Sequence, residues 1–128
     1  MLELTCHCQN IQMVLPDKPL RLSECDCSMC RRYAAFWGVY APDQITLSYH
    51  FAPQGYAASK DRVFYHCMRC GCLTHFESSE TAPEQLFAVN YRMANVSQWP
   101  SLIKSADVSF RHSLSQLSTR EDIGDIRV

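Results

Sequence analysis

The sequence is organised around one segment, Cys25-Asp26-Cys27-Ser28-Met29-Cys30-Arg31-Arg32. It places three cysteines at positions i, i+2 and i+5, and no Gly or Pro loosens the segment. Three thiols this close together cannot all pair as disulfides, whereas zinc binds thiolate sulfur readily, at about 2.3 Å in a tetrahedron. A protein site with three ligands leaves the fourth corner for water or substrate. The triplet therefore predicts an open zinc centre, with Cys25, Cys27 and Cys30 as both its ligands and its catalytic residues.

The other five cysteines lie in two groups, Cys6-His7-Cys8 and Cys67-Met68-Arg69-Cys70-Gly71-Cys72. The second group is typical of a zinc knuckle, because a Gly after the second ligand lets the backbone bend without a Cβ clash. A site with four thiolates needs two more ligands, and the first group supplies the only pair outside the triplet. We therefore predict a closed, structural zinc held by Cys6, Cys8, Cys67 and Cys70, and up to two zinc ions per chain.

Three alternatives to this interpretation remain open. Eight cysteines could form a disulfide framework, although such frameworks are typical of secreted chains and C-x-C pairs suit metal binding better. The triplet could be a second structural site, completed by His66, His75 or His112. Cys72 is left over, either as a small inert side chain or as a catalytic thiol.

Length and composition indicate one globular domain over residues 1–128. A chain of 128 residues buries about 68% of its unfolded surface, and its 47% hydrophobic content supports a core. With 12 basic and 13 acidic residues the net charge is −1, so we expect no nucleic-acid partner. We expect residues 118–128 to form a mobile tail.

The sequence shows no membrane or export signal. It begins without a positively charged segment followed by an apolar one, and no apolar stretch approaches the roughly 18 residues that cross a bilayer. We therefore expect no membrane partner and a cytoplasmic protein, in which the thiols stay reduced. The sequence does not indicate an oligomeric state.

Alternating apolar residues predict a mainly β, antiparallel fold. Residues 2–4 and 11–15 alternate on either side of Cys6 to Cys8, which predicts a hairpin with the first cysteine pair at its tip. Ser28 is expected to cap a single helical turn that brings Cys30 back towards Cys27. The aromatic and β-branched runs 35–40 and 45–49 are expected to pair with each other across Pro42-Asp43.

The cysteine groups resemble those of the glutathione-dependent formaldehyde-activating enzyme and centromere protein V family. The resemblance covers Cys6 to about Met93. It rests on Cys6-x-Cys8, Cys25-x-Cys27-x-x-Cys30 with Arg31-Arg32 following, Phe36, and Cys67-x-x-Cys70-Gly71. It implies an antiparallel β-tent fold, a structural zinc between two loops and a second zinc on the triplet. It also implies carbon–sulfur lyase chemistry, the addition of glutathione to formaldehyde and its reversal. Where family members commonly have a Gly after the Arg pair, this chain has Tyr33-Ala34-Ala35.

The chemistry of the triplet can also be derived without the resemblance. Zinc with three thiolates carries a formal charge of −1, so it is a poor Lewis acid for activating water. It suits an incoming thiol, which would bind as a nucleophilic thiolate and attack a small carbonyl such as formaldehyde. Arg31 and Arg32 follow the last ligand and are predicted to bind the substrate, since a guanidinium can pair with a carboxylate of a tripeptide thiol.

The predicted function is therefore that of a zinc-dependent, carbon–sulfur lyase-like enzyme. Its substrates would be adducts of glutathione, or of another small thiol, with formaldehyde or related small carbonyls. One alternative is a protein-binding module that uses zinc only as a scaffold. Another is a β-tent reductase with one structural zinc and Cys72 as its redox thiol.

Overall fold

The computed structural model describes residues 1–98 and the backbone of residues 108–111. The predicted tail at 118–128 and His112 lie outside these residues. Within them the chain forms ten β-strands and one short α-helix, which confirms the predicted mainly β, antiparallel class. No helix in this part of the chain has both the length and the apolar character needed to cross a bilayer. The elements are β1 (Leu2–Thr5), β2 (Ile11–Leu15), β3 (Arg21–Cys25), α1 (Ser28–Tyr33), β4 (Phe36–Tyr40), β5 (Thr46–Tyr49), β6 (Gln54–Tyr56), β7 (Arg62–His66), β8 (Leu73–Ser78), β9 (Phe87–Asn90) and β10 (Val108–Arg111).

The strands form two sheets. A three-stranded sheet has the order β1-β2-β5, and a seven-stranded sheet has the order β10-β3-β4-β9-β8-β7-β6. Neighbouring strands are antiparallel except β10, which lies parallel to β3. The predicted hairpin is confirmed, since β1 pairs with β2 and places Leu4 opposite Met13.

The predicted pairing of residues 45–49 with residues 35–40 is wrong. Strand β5 lies beside β2 in the small sheet, with Leu47 opposite Met13. Both edges of β4 are already taken by β3 and β9. The turn of 3-10 helix at Pro42–Gln44 therefore connects two different sheets instead of closing a hairpin.

Strand β4 is buried on both of its faces. Phe36 and Tyr40 point into one core cluster, shared with the inner residues of β1 and β2. Trp37 and Val39 point into a second cluster on the other face, because successive side chains of a strand alternate between its faces. The first cluster lies between the two sheets, and α1 covers part of the second through the buried Cys30.

Gly38, at the middle of β4, allows a close contact with Tyr91. A Cβ atom at Gly38 would lie 2.3 Å from Cζ of Tyr91. The Tyr91 ring is fully buried, packs edge to face on Phe36 at 6.5 Å between centroids, and shares a hydrogen bond between hydroxyl groups with Tyr40. The ring is therefore fixed from several sides and has little freedom to move away.

We predict that Gly38→Ala lowers the free energy of unfolding by about 1–3 kcal/mol, the usual cost of overpacking a core. Gly55→Ala is the matched control. Its added Cβ would approach the side chains of Val63 and Tyr65 at 3.0 Å, in an exposed strand whose neighbours can give way. Urea unfolding of both variants measures the difference, and equal stability of the two would contradict this account of Tyr91.

Candidate metal centres

Four of the cysteines form a closed group of sulfur atoms. Cys6, Cys8, Cys67 and Cys70 place their Sγ atoms within 4.8 Å of one another. The Sγ atom of Cys8 lies 3.7 Å from that of Cys6 and 3.6 Å from that of Cys67. Sulfurs bound at about 2.3 Å to one tetrahedral ion are about 3.8 Å apart. The group, called the quartet below, therefore fits one metal ion with four thiolate ligands.

Two similar loops build the quartet. In the first, the N–H of Cys6 donates to the carbonyl of Ile11 at 3.1 Å, and in the second, the N–H of Cys67 donates to the carbonyl of Cys72 at 3.0 Å. Each loop includes one residue with positive φ, Gln9 at 67° and Gly71 at 79°. The role predicted for Gly71 agrees with this geometry, because its backbone conformation favours a residue without Cβ.

Backbone N–H groups point at the sulfurs of the quartet. The N–H of Ile11 donates to Cys6 Sγ and the N–H of Arg69 donates to Cys67 Sγ, each at 3.3 Å. Four thiolates around a divalent ion carry a net charge of −2, and N–H donors offset part of it. The loops therefore position the ligands and also stabilise their charge.

Asn10 is a supporting residue that the sequence analysis missed. Its Nδ2 donates to Cys67 Sγ at 3.5 Å and to the carbonyl of Phe51 at 2.9 Å, while its Oδ1 accepts from the N–H groups of His50 and Phe51. The side chain is buried, so its polar atoms need these partners. The only sequence signal was a polar residue between the first cysteine pair and an apolar strand.

A second group of thiols, the triplet, lies where β3 meets α1. Cys25 is the last residue of β3, Cys27 caps the helix, and Cys30 lies in its first turn. Their three Sγ atoms lie within 4.8 Å of one another. The N–H of Cys30 donates to Cys27 Sγ at 3.4 Å, so the predicted capping role of Ser28 is wrong. Ser28 is the first helical residue, and the cysteine before it is the cap.

The helix carrying the triplet is held at both ends. Cys30 is fully buried, and Nε1 of Trp37 donates to its Sγ at 3.3 Å. At the other end, Ala34 adopts the left-handed conformation with a φ of 51°. Such a conformation is the one that a Gly adopts without strain and that commonly ends a helix.

Thiol pKa values differ strongly within each group. Hydrogen bonds from the thiols of Cys25 and Cys30 hold the pKa of Cys27 far below its usual range, whereas hydrogen bonds to Cys25 and Cys27 raise the pKa of Cys30. At Cys70, burial is outweighed by hydrogen bonds from the backbone of Cys72 and Cys8, which lower the pKa to about 6. Each group thus contains at least one thiol predisposed to ionise, as metal binding requires.

No fourth ligand joins the triplet within residues 1–98. His75, one of the candidates, is buried in β8, where its Nδ1 bonds Thr74 Oγ1 at 2.8 Å and its ring stacks between Tyr65 and Phe87. His66, another candidate, lies in β7 and is not part of the group. Among the described residues, the triplet can therefore hold a metal ion with three protein ligands.

The two groups lie on opposite faces of the seven-stranded sheet. Cys6 and Cys67 belong to the core cluster between the sheets, whereas Cys30 belongs to the cluster on the other face. Cys72 also packs against the first cluster and hydrogen-bonds Cys70. It is therefore a neighbour of the quartet and not of the triplet. All eight cysteines are free thiols, which argues against the disulfide framework.

A cleft opens beside the triplet on the second face. It is small and open to solvent, with a cavity volume of about 20 Å³. Arg31 and Arg32, the predicted substrate-binding pair, do not line it. Their Nη1 atoms donate to backbone carbonyls of the same turn, those of Asp26 at 3.4 Å and Ser28 at 2.6 Å. The cleft is lined by Arg21, Ser23, Cys25, Trp37, Val39, Arg62, Phe76 and Leu86.

Comparison with solved structures shows a similar fold in a crystal structure of a protein from Rhodobacter sphaeroides. The two chains superpose with a TM-score of 0.61 at 20% sequence identity, over 85% of this chain and 99% of the other. At this identity the likeness concerns the fold alone. No curated protein sequence matches the chain.

Comparison with protein families gives a match that includes both cysteine groups. Residues 1–104 match the family described as glutathione-dependent formaldehyde-activating enzyme. The matched range contains the quartet, the triplet and every residue that lines the cleft. This chain therefore belongs to the glutathione-dependent formaldehyde-activating enzyme family.

Proposed function

We propose that this protein is a zinc-dependent enzyme that adds a small thiol, of which glutathione is the example, to formaldehyde or a related small carbonyl, and reverses that addition. The observation that carries the proposal is the triplet: three converging thiols beside a cleft, with no fourth ligand within residues 1–98. An all-sulfur ligand set suits zinc. Family membership supports the same chemistry.

The proposed assignment of the two centres follows from their surroundings. The quartet has four ligands on two loops and lies against the core between the sheets, so we assign it a structural zinc. The triplet borders a cleft, so we assign it the reaction. This division leaves the fold dependent on one ion and the chemistry dependent on the other.

The proposed reaction needs little more than a stabilised thiolate. A zinc ion at the triplet, when bound, would supply positive charge that keeps a thiol ionised at neutral pH. The thiol loses its proton, a carbon–sulfur bond forms at the carbonyl carbon, and the carbonyl oxygen gains a proton. The product is an S-hydroxymethyl thioether, and no oxidant or reductant is consumed. The reverse reaction breaks the same bond and makes this chemistry lyase-like.

The residues around the triplet would keep its geometry fixed during this reaction. The hydrogen bonds from Cys30 N to Cys27 Sγ and from Trp37 Nε1 to Cys30 Sγ restrain two of the three sulfurs. Such outer contacts orient ligands and tune the charge of a metal centre. Since Arg31 and Arg32 donate to carbonyls of their own turn, their proposed role in substrate binding has weaker support than the position of the triplet.

A protein-binding module is the second candidate function, and one observation favours it. Three large apolar side chains at or beside the quartet loops are exposed: Tyr49, Phe51 and Met68. The reductase alternative has less support, because its redox thiol, Cys72, lies beside the quartet. In any of these functions the free thiols would need a reducing compartment such as the cytoplasm, which we propose as the location.

We predict that Cys67→Ser unfolds or strongly destabilises the protein, whereas Cys27→Ser leaves it folded with one ion fewer. Structural zinc stabilises small zinc peptides by about 10 kcal/mol or more, comparable to the roughly 5–15 kcal/mol of a whole domain. Serine is itself a favourable N-cap, so Cys27→Ser keeps the cap of α1 while it removes a ligand. Thermal melting and metal analysis test both variants. An unchanged melting curve for Cys67→Ser would refute the assignment of the quartet.

We also predict that glutathione changes the spectrum of the cobalt-substituted protein, because its sulfur adds a fourth thiolate to the triplet. Binding as thiolate releases a proton, so apparent affinity should rise with pH until the free thiol's pKa, about 8.5 for an unperturbed cysteine, is passed. Cys27→Ser is the control and should show no response. If glutathione leaves the sulfur-to-metal charge-transfer bands of the wild-type protein unchanged, the protein-binding alternative becomes the better account.

A further inference from the structure

Two arginines, from the second and sixth strands of the seven-stranded sheet, line the same cleft. Arg21 lies on β3, four residues before Cys25, and strand periodicity puts these two side chains on the same face. Arg62 lies on β7, three strands beyond β4 in the sheet order. Both line the cleft together with Cys25. The cleft thus has positive charge at its sides and the triplet at one end.

Neither guanidinium has a carboxylate partner in the part of the chain that the structure describes. The close contacts there between basic groups and carboxylates join Met1 to Asp17 and His75 to Glu77, and neither includes an arginine. Arg62 is held instead by a ring, with its Cζ atom 4.8 Å from the centroid of Phe76. A cation–π contact orients a guanidinium without neutralising its charge. Two positive charges therefore remain for an incoming anion.

The aromatic side of the cleft strengthens this charge. Trp37 and Phe76 pack edge to face with centroids 4.8 Å apart, and both belong to the core cluster below the cleft. Apolar rings exclude water from one side of a bound ligand, and electrostatic attraction is stronger where less water screens it. Trp37 also donates to Cys30, so the same side chain contacts the cleft and the triplet.

We infer that Arg21 and Arg62 bind a carboxylate of the thiol substrate while its sulfur reaches the centre at Cys25, Cys27 and Cys30. The inference rests on the proposed function, because it needs a thiol at the triplet. It adds the substrate class: the site selects thiols that carry an acidic group over neutral thiols of the same size. It also assigns this selection to Arg21 and Arg62 and not to Arg31 and Arg32.

The test compares two thiols of nearly equal size, mercaptopropionate and the neutral mercaptopropanol, on the cobalt-substituted protein. Their dissociation constants are read from the charge-transfer bands of the wild type and of Arg21→Gln, Arg62→Gln and Arg62→Lys. Lys18→Gln is the matched control, since it removes one positive charge from an exposed residue that does not line the cleft. Melting temperatures check that each variant folds. If Arg62→Gln does not fold, the comparison of Arg21→Gln with the wild type tests the inference.

We expect the wild type to bind the acid about tenfold more tightly than the alcohol, as a charge-assisted contact would. Each Gln variant should bind the acid about fivefold more weakly and the alcohol unchanged, while Arg62→Lys and Lys18→Gln keep most of the preference. High salt should weaken binding of the acid alone.

Equal affinity for the two thiols in the wild type, or an undiminished preference in the Gln variants, would overturn the inference while leaving the proposed function intact. Failure of both thiols to change the wild-type spectrum would overturn the inference and the proposed function together.

Discussion

The burial of β4 on both faces is the constraint on which the rest of the structure depends. Its side chains alternate between two separate cores, with Phe36 and Tyr40 packed into one and Trp37 and Val39 into the other. Because each core contains one of the cysteine groups, the sheet separates the quartet from the triplet. A single buried strand thereby places the quartet against the core between the sheets and the triplet beside a cleft.

Hydrogen bonds to sulfur connect each group to the backbone around it. The quartet receives N–H donors from its own two loops, and the triplet receives them from the first turn of α1 and from Trp37 on β4. Thiolates concentrate negative charge, so each of these donors favours the ionised form that binds metal. The local turns at Gly71 and Ala34, both with positive φ, bring these donors into position. Ligand geometry and charge stabilisation thus depend on the same short segments.

Much of this arrangement could be predicted from local sequence. The spacing of the cysteines predicted the triplet and each pair of the quartet, because ligands two or three residues apart in a turn can reach one ion. That the two distant pairs share an ion was predicted by elimination, since the first pair was the only one outside the triplet. The hairpin of β1 and β2 could also be predicted from local sequence. The position of β5 could not, since the pairing of a strand depends on which strand edges are already occupied. Arg21 and Arg62 were missed for the same reason, because their meeting at the cleft requires the order of five strands. The helix cap was assigned to Ser28 on propensity, whereas the thiol of Cys27 fills that role.

We propose that this chain has one closed and one open thiolate centre. Metal analysis of the reduced protein during titration with a mild chelator tests it most directly, with circular dichroism recorded at each step. We expect two zinc ions per chain that leave in two steps, the first without loss of fold and the second with unfolding. A single ion per chain, or two ions that leave together as the protein unfolds, would contradict it.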